Sequence, residues 1–301
     1  MDTYNETDLL EWCEAVLGAV EVLADHSREH PGERTGAHQL RTDAGLCYLK
    51  THNDPAHWHN EVHGYRAWAG VFGPNAPRLL AARDEAPLAL VVTALPGQIL
   101  DEVKLTPAQE QAVWRQAGTA LAALHQSENG PFFGPCRHDG TPAGPPITSA
   151  EEFIAAELDG WQKRGLAAGC LSREEVATAE AARGLLPAFA GEKPVPCHRD
   201  YGPANWLVTA EGLWSGVIDF EFAQWDVRMA DFTRYPNWEW IDRPDLIEAF
   251  QAGYGRALTP AEENQRLVCH TLYALAAVVW GRENAYYGFA AEGRRALALL
   301  G

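Results

Sequence analysis

Residues 194–231 limit the architecture of this chain more than any other segment. Their sequence, PVPCHRDYGPANWLVTAEGLWSGVIDFEFAQWDVRMAD, alternates short apolar runs with polar and acidic side chains. The apolar runs at 205–209 and 214–220 predict two short strands. Side chains that leave neighbouring strand ends on one side lie close together. The segment therefore predicts a small sheet that carries a cluster of oxygen-bearing side chains.

Three of these side chains suit metal and proton chemistry. Asp200 lies five residues before Asn205, and Asp219 ends the second predicted strand. The oxygen donors of Asn205 and Asp219 could hold Mg²⁺, which takes few protein ligands and completes its octahedron with water and phosphate oxygens. Asp200, just outside that pair, could accept a proton from an attacking hydroxyl group.

The same residues carry a resemblance to a known family. His198-Arg199-Asp200 followed by Asn205 matches the kinase catalytic loop H-R-D-x-x-x-x-N, and Asp219-Phe220 stands where kinases carry the first two residues of Asp-Phe-Gly. The third position is Glu221 rather than glycine. The segment resembles the aminoglycoside phosphotransferase and choline kinase group, which phosphorylates small molecules.

The resemblance implies roles for the polar and acidic residues of this segment. It makes Asp200 the catalytic base and makes Asn205 and Asp219 the Mg²⁺ ligands. His198 is expected to bond to backbone near the metal-binding aspartate. Glu221 either contacts a second ion or hydrogen-bonds the loop, and Asp231 anchors the catalytic loop by accepting backbone N–H groups.

The amino-terminal part predicts a hairpin, a helix and a buried strand. Residues 38–42 and 46–52 flank the turn Asp43-Ala44-Gly45, which is typical of paired strands. Asp54-Pro55 then predicts a helix start, with apolar and acidic residues on one face. That face is predicted to carry Glu61, Tyr65, Trp68 and Phe72, and the run 86–95 predicts a buried strand.

The family resemblance assigns nucleotide contacts to this part. Lys50 would hold the α- and β-phosphates, Glu61 would orient it, and backbone groups of Val92, Thr93 and Ala94 would meet the adenine edge. The Gly-rich motif G-x-G-x-x-G is absent upstream of Lys50. Residues 25–37 are interpreted as a degenerate loop that covers the phosphates.

Pro96-Gly97 is the predicted boundary between two lobes. Residues 1–95 form the expected nucleotide-binding N-lobe, and residues 96–301 form the C-lobe with the catalytic core and helical substrate-binding segments. Helix starts in the C-lobe are predicted at Thr106-Pro107 and at three capping boxes, Ser149–Glu152, Ser172–Glu175 and Thr259–Glu262. The expected fold is α+β and protein-kinase-like, with a small antiparallel sheet and a larger, mostly helical lobe.

Composition excludes several classes of partner. The 301 residues carry 41 Asp and Glu against 24 Lys and Arg, so the net charge of −17 disfavours nucleic acid and anionic membranes. The six cysteines lack metal-binding spacing, and no apolar run is long enough to span a bilayer. We therefore expect a cytoplasmic protein, with its oligomeric state left open by the sequence.

The resemblance implies an ATP- or GTP-dependent, Mg²⁺-requiring kinase that acts on a hydroxyl of a small molecule. An aminoglycoside-like, cationic acceptor, and with it antibiotic resistance, is the first expectation. Choline-, homoserine- or sugar-type acceptors fit the same core, and a non-catalytic nucleotide-binding protein or a metal hydrolase are alternatives from other classes. Trp238 and Trp240, with Glu239 and Asp242, either line a substrate pocket or pack at a helix start, and packing is the favoured interpretation.

Overall fold

Strands dominate the first hundred residues and helices the rest in the computed structural model, which describes residues 6–30, 33–233 and 243–301. The helices are α1 (Glu6–Leu17), α2 (Pro55–Ala67), α3 (Pro107–Ser127), α4 (Ala150–Ala167), α5 (Arg173–Arg183), α6 (Pro244–Tyr254), α7 (Pro260–Glu283) and α8 (Tyr287–Leu300). The strands are β1 (Val20–Asp25), β2 (Arg28–His30), β3 (Glu33–Thr42), β4 (Gly45–His52), β5 (Leu79–Arg83), β6 (Leu88–Thr93), β7 (Gln98–Ile99), β8 (Val195–Cys197), β9 (Trp206–Val208), β10 (Trp214–Val217) and β11 (Gln224–Asp226). This arrangement confirms the predicted α+β class.

The largest sheet is antiparallel and has the strand order β1–β3–β4–β6–β5, with β2 paired to β3. Two smaller sheets have the orders β10–β9–β7 and β11–β8. The predicted hairpin is confirmed, because Thr42 of β3 pairs with Gly45 of β4 across the expected turn. The predicted strand in 86–95 is β6, which lies between β4 and β5.

The alternation of side chains on β4 separates two faces of the large sheet. Leu49 packs with Leu9 and Cys13 of α1 in a small buried core. Its neighbour Lys50 points to the opposite face, since successive side chains of a strand alternate. There Val62 of α2 belongs to the main core. A lysine on this face is therefore directed towards α2 and the rest of the molecule.

Helix α2 begins as predicted and ends earlier. The Asp54 side chain accepts a hydrogen bond from the Ala56 amide, and Pro55 is the first helical residue. The helix ends at Ala67, whereas the predicted apolar face ran on to Phe72. Gly70, Gly73 and Pro74 follow in a 3₁₀ segment, and Gly73 has a φ of 57°, which the α-helix does not allow. Trp68 and Phe72 are nevertheless buried, so the expected burial holds beyond the helix.

The helix starts in the second half follow their capping residues. Complete capping boxes open α3 at Thr106, α5 at Ser172 and α7 at Thr259. At α4 the structure shows the first half of the box, in which the Ser149 hydroxyl accepts from the Glu152 amide (3.3 Å). Helix α3 packs along α6, and α7 packs along α4 and α8.

The chain leaves the large sheet after β6 and enters a smaller sheet as β7. Gln98 pairs with Val208 of β9, so the connecting residues lie against the second half of the molecule. Gly97 has a φ of 117°, and a Cβ atom there would lie 2.4 Å from the Val208 carbonyl oxygen. Only glycine fits this approach. The division into lobes at residue 95 stays a prediction.

No helix within the described ranges has the length and apolar character needed to cross a bilayer. All six cysteines are buried and carry free thiols. Burial raises the pKa of the thiols of Cys13 and Cys136 to about 12.

Candidate active site

The loop after β8 is held by a buried aspartate. Asp231 is fully buried, and its carboxylate accepts hydrogen bonds from the backbone amides of His198 (2.9 Å) and Arg199 (2.5 Å). Burial opposes ionisation, but a hydrogen bond from His125 (Nε2···Oδ2, 3.0 Å) and the nearby amides hold the pKa of Asp231 below its ordinary value. Asp231 thus lies where an anchor of the predicted catalytic loop would be.

His125 extends this anchor to two helices. It lies on α3, and its Nδ1 atom is 2.9 Å from the Tyr254 hydroxyl of α6. His125, Cys197 and Asp231 are grouped closely enough to hold a metal ion. The Asp231 oxygens are already taken by two amides and by His125, and the Cys197 thiol donates to the Val227 carbonyl. This cluster therefore braces the loop rather than offering free ligands.

His198 joins the loop to the second strand of the motif. Its Nε2–H donates to the Ile218 carbonyl (3.0 Å), and its Nδ1 accepts from the Asp200 amide (3.2 Å). Both ring nitrogens are occupied, which leaves neither for proton transfer. The ring lies next to the backbone that precedes Asp219, where the predicted supporting role requires it.

Lys50, Glu61 and Asp219 form one ion-paired group. The Lys50 ammonium lies 2.5 Å from Glu61 Oε1 and 2.8 Å from Asp219 Oδ1, so the group joins β4, α2 and the loop after β10. Burial alone would lower the Lys50 pKa, but the carboxylates of Asp219 and Glu61 raise it well above its usual value. Burial likewise opposes ionisation of Asp219, and Lys50 nevertheless holds its pKa below the ordinary value. Lys50 and Asp219 are therefore both charged.

Glu61 is fixed from its other side by a residue that the sequence analysis did not single out. His52, also on β4, lies 2.6 Å from Glu61 Oε2, and both side chains are buried. His52 follows Lys50 by two residues and so shares its face of the strand. The two-residue spacing from Lys50 along a predicted strand could have identified His52 as a neighbour of the site.

Asp200, Asn205 and Asp219 line one cleft with Lys50. The cleft has a volume of about 850 Å³. The Asn205 amide nitrogen donates to the Asp200 carbonyl (2.9 Å), so the oxygen Oδ1 is the Asn205 atom that could bind a cation. An asparagine oxygen and an aspartate oxygen in the same cleft fit Mg²⁺, which prefers hard oxygen ligands.

Two residues of the motif have an uncommon backbone conformation. Arg199 and Asp219 have φ values of 63° and 71°, in the left-handed region that non-glycine residues rarely adopt. Such conformations persist where the surroundings determine them, and they cluster at functional sites. At Arg199 the side chain pairs with the buried Asp226 (Nε···Oδ2, 3.1 Å).

Glu221 adds a further carboxyl group to a cleft that already holds Asp200 and Asp219. Its burial, with Asp219 close by, raises its pKa to about 9. The ring nitrogens nearest to it are Nδ1 of His52 at 3.8 Å and Nδ1 of His57 at 4.0 Å. Several carboxylates facing one lysine make a region that favours a bound cation.

The predicted adenine contacts of Val92, Thr93 and Ala94 stay a prediction, and the structure shows which of their backbone donors are already used. Val92 and Thr93 line the cleft, as do Leu95 and Gly97 further along. The Thr93 amide donates to the Arg78 carbonyl and the Ala94 amide donates to the Leu46 carbonyl, each at 3.0 Å. These two donors are used within the sheets, and so they are not available to a base. After Thr93, the next residue of this segment that lines the cleft is Leu95.

The segment interpreted as a phosphate cover is a strand pair. Residues 25–37 include β2 and the start of β3, paired from Arg28 with Thr35 to His30 with Glu33. His26 and Ala37 line the cleft. Trp238 and Trp240 lie outside the described residues.

The helical end of the cleft was missed by the sequence analysis. Its walls come from α4 and α7 and from residues around the start of α8, and they include Trp161, Tyr273 and Trp280. On α7 the residues Tyr273 and Trp280 are seven apart and share one face. That pattern is also typical of a buried core, which explains why it gave no distinct signal.

Comparisons with known proteins give three findings. The family model described as "Phosphotransferase enzyme family" (APH) matches residues 34–264. A search of curated proteins finds no significant match. Many solved structures share the fold.

Three of these structures show how far the similarity extends. An APH(4)-Ia aminoglycoside phosphotransferase, solved as a ternary complex with AMP-PNP and hygromycin B, has a TM-score of 0.73 at 16% identity over 97% of each chain. The GDP complex of aminoglycoside 2'-phosphotransferase-IIIa has a TM-score of 0.70 at 12% identity over 98% of each chain. The streptomycin–ATP–APH(2")-IIa complex has a TM-score of 0.65 at 13% identity over 97% of each chain. This similarity confirms the predicted protein-kinase-like fold.

Proposed function

Because the chain belongs to the phosphotransferase enzyme family and is thus a kinase-type transferase with an alcohol group as acceptor, we propose that it moves the γ-phosphoryl group of ATP, or of GTP, to a hydroxyl of a small hydroxylated amine. The observation that carries this proposal is the ion-paired group of Lys50, Glu61 and Asp219, which opens on the same cleft as Asp200. Solved relatives hold nucleotides and aminoglycosides, which supports this choice of donor and acceptor.

Lys50, which Glu61 holds in place, would bind the nucleotide phosphates. The ammonium is charged and held in place by Glu61, which is itself fixed by His52. A positioned cation stabilises phosphate oxygens without reorganisation during the reaction. Asn205 and Asp219 would hold Mg²⁺, which when bound neutralises charge on the phosphate oxygens during transfer.

Asp200 would accept the proton of the attacking hydroxyl. Its backbone is fixed on both sides, because its amide donates to His198 and its carbonyl accepts from Asn205. Positioning of this kind supplies much of the acceleration in phosphoryl transfer, which needs little covalent help from the protein.

The second candidate acceptors are choline-, homoserine- and sugar-type alcohols, which use the same catalytic residues. A non-catalytic nucleotide-binding protein would not need Lys50, Asp200 and Asp219 around one cleft. A metal hydrolase would act without nucleotide. The nucleotide requirement therefore separates these alternatives.

The test is ADP release across a panel of aminoglycosides, other antibiotics and metabolic amines and alcohols, together with thermal unfolding in Mg·ATP. We expect Mg·ATP to raise the melting temperature and at least one acceptor to stimulate ADP release. Asp219→Ala should abolish metal-dependent turnover. Full turnover in that variant would overturn the metal assignment, and acceptor turnover without nucleotide would overturn the kinase proposal.

A further inference from the structure

Residues 128–141 follow α3 and are here named the clamp loop, because they lie against α2. The base of the clamp loop is fixed to the segment that carries the catalytic motif. The Gly130 amide donates to the Pro194 carbonyl (2.8 Å), and the Gly134 amide donates to the Trp225 carbonyl (2.7 Å). A Cβ atom at Gly130 would clash with the Trp225 ring. The clamp loop is therefore firmly attached to the second half of the molecule.

The tip of the clamp loop is a turn that is closed by its own hydrogen bonds. The Gly140 amide donates to the Arg137 carbonyl (2.9 Å), and the Arg137 amide donates to the Thr141 carbonyl (2.7 Å). The Asp139 carboxylate accepts from both the amide (3.0 Å) and the hydroxyl (2.6 Å) of Thr141. These four hydrogen bonds hold the backbone on both sides of His138.

One face of α2 lies against this tip. His59, His63 and Arg66 are spaced by four and three residues and so share a helix face. The His138 amide donates to His59 Nδ1 (3.2 Å), and Arg66 donates to the His138 carbonyl (3.3 Å). A Cβ atom at Gly140 would lie 3.1 Å from the His63 ring. Two turns of α2 are thus in contact with the clamp loop.

His59 and His138 also meet through their rings. Their Nδ1 atoms lie 3.1 Å apart, and the rings are stacked with an interplanar angle of 10°. Because His59 Nδ1 accepts from the His138 amide, it carries no proton in this contact. Burial, with His138 and Arg137 nearby, lowers the pKa of His59, which agrees with a neutral ring. The clamp loop also brings Asp139 to this region, and α2 brings His63 and Arg66.

The position of α2 matters because this helix carries Glu61. On its other sides α2 is packed against the sheet and against the loop after β10. Trp58 Nε1 donates to a carbonyl of β6 (3.0 Å), and a Cβ atom at Gly64 would lie 2.9 Å from the Phe220 Cβ atom. A helix held on three sides keeps Glu61 at Lys50, the pairing that protein kinases require for catalysis.

Resting on the proposed kinase function, we propose that His59 and His138 are positioning residues for nucleotide binding. Their contact joins α2 to the clamp loop and keeps Glu61 at Lys50, whose ammonium binds the phosphates. The contact requires a neutral His59, and protonation of that ring therefore releases α2. The apparent nucleotide affinity falls in proportion to the fraction of molecules in which α2 is docked.

The direction of the pH dependence follows from the two states of His59. In the docked state its pKa is lowered, and in the released state the ring has the ordinary value near 6.5. The released state therefore binds more protons, and docking weakens as the pH falls below about 6.5. Above that pH the ring is neutral in both states, and docking is at its strongest.

The first test measures binding of Mg·AMP-PNP to the full chain by calorimetry at pH 7.5. His59→Ala removes the acceptor of the clamp loop, and we expect it to weaken binding at least threefold. His59→Asn should restore most of the affinity, because its Oδ1 atom can accept from the same amide and asparagine and histidine have similar helix propensities. Equal affinities of His59→Ala and the unaltered protein would overturn the proposal.

The second test compares this affinity at pH 7.5 and pH 5.5. We expect the unaltered protein to lose at least threefold more affinity than His59→Asn, whose side chain cannot be protonated. The titration of the nucleotide itself is common to both proteins and cancels. Hydrogen–deuterium exchange of α2, corrected for the intrinsic pH dependence of exchange, should rise at pH 5.5 in the unaltered protein and not in His59→Asn. Parallel losses of affinity in the two proteins would overturn the proposal.

His270→Gln is the matched control for both tests. It also removes a buried histidine, but His270 lies on α7 and outside the cleft lining. We expect this variant to bind Mg·AMP-PNP like the unaltered protein at pH 7.5 and to keep the same loss of affinity at pH 5.5. Abolition of the pH dependence in His270→Gln would assign that dependence to α7 and overturn the role of His59.

Nucleotide binding by the unaltered protein separates this proposal from the one on which it rests. If the kinase proposal fails, the unaltered protein binds no Mg·AMP-PNP and releases no ADP at either pH, and both proposals are overturned. If only the positioning role is wrong, the unaltered protein binds the nucleotide and His59→Ala binds it equally tightly.

Discussion

Two aspartates in one cleft are placed in different surroundings. Asp219 is ion-paired with Lys50, which lowers the pKa of Asp219 and keeps it anionic, as the proposed metal ligand must be. Asp200 is held through its backbone by His198 and Asn205, so its position does not depend on an ion pair of its own carboxylate with Lys50. These contacts are compatible with the proposed roles, in which Asp219 binds the metal ion and Asp200 accepts the proton.

Asp200→Asn keeps the side chain's size and removes its ability to accept the hydroxyl proton. We expect acceptor-stimulated ADP release to fall by roughly 10²- to 10⁴-fold, the usual contribution of a general base. Mg·ATP should raise the melting temperature of the variant as much as that of the unaltered protein, because the backbone contacts of residue 200 remain. Loss of that stabilisation would show that the carboxylate serves nucleotide binding instead.

At the scale of elements, the passage from β6 to β7 depends on one glycine. Gly97 lies where the chain crosses from the large sheet to the smaller one, against the Val208 carbonyl. A side chain there meets both an unfavourable φ and a rigid backbone atom. The passage of the chain between the two sheets therefore requires a residue without a Cβ atom at position 97.

Gly97→Ala is expected to lower the free energy of unfolding by more than about 2 kcal/mol, measured by urea denaturation, since the left-handed φ alone costs about 1–2 kcal/mol. Gly18→Ala is the matched control: its φ is 81°, yet a Cβ atom there has open space. The control should show the conformational cost alone. Equal losses in the two variants would mean that the approach to Val208 relaxes without cost.

At the scale of the whole molecule, a buried histidine couples stability to pH. His270 on α7 is 4% exposed, and burial, with Arg266 nearby, lowers its pKa to about 4 from an unfolded value near 6.5. The unfolded chain therefore binds more protons between pH 4 and 6.5, and stability decreases as pH falls through that window.

We expect His270→Gln to reduce this loss. Between pH 7.5 and pH 5 the unaltered protein should lose about 2 kcal/mol more of its unfolding free energy than the variant, from the linkage of one group with these two pKa values. Urea denaturation at both pH values checks the difference. Parallel losses would assign the pH dependence to other groups.

The fold and the centre of the candidate site could be read from sequence because they depend on local signals. Turn and cap residues mark the hairpin at Gly45 and the helix start at Asp54, and the spacing of Asp200 and Asn205 is short. The ion pair of Lys50 with Asp219 spans 169 residues, and the sequence analysis, which assigned both residues to one nucleotide site through the family resemblance, did not predict it. Contacts of that range follow from tertiary packing, which no local pattern encodes.

The less predictable features each depend on packing. The amides of Thr93 and Ala94 are used by neighbouring strands, and sequence alone does not show which backbone groups a sheet leaves free. Tyr273 and Trp280 of α7 have the spacing of a core helix face. Whether such a face meets another helix or an open cleft is decided by the placement of α4 and α8.

The burial of every cysteine has a practical consequence for solution work. Thiols that are enclosed and held in the protonated form react slowly with maleimide dyes while the molecule stays folded. A single cysteine introduced at an exposed position, such as Val16 on α1, would then be the preferred attachment point for a fluorophore. The six native thiols would therefore contribute little unwanted label when an introduced cysteine is modified in the folded protein.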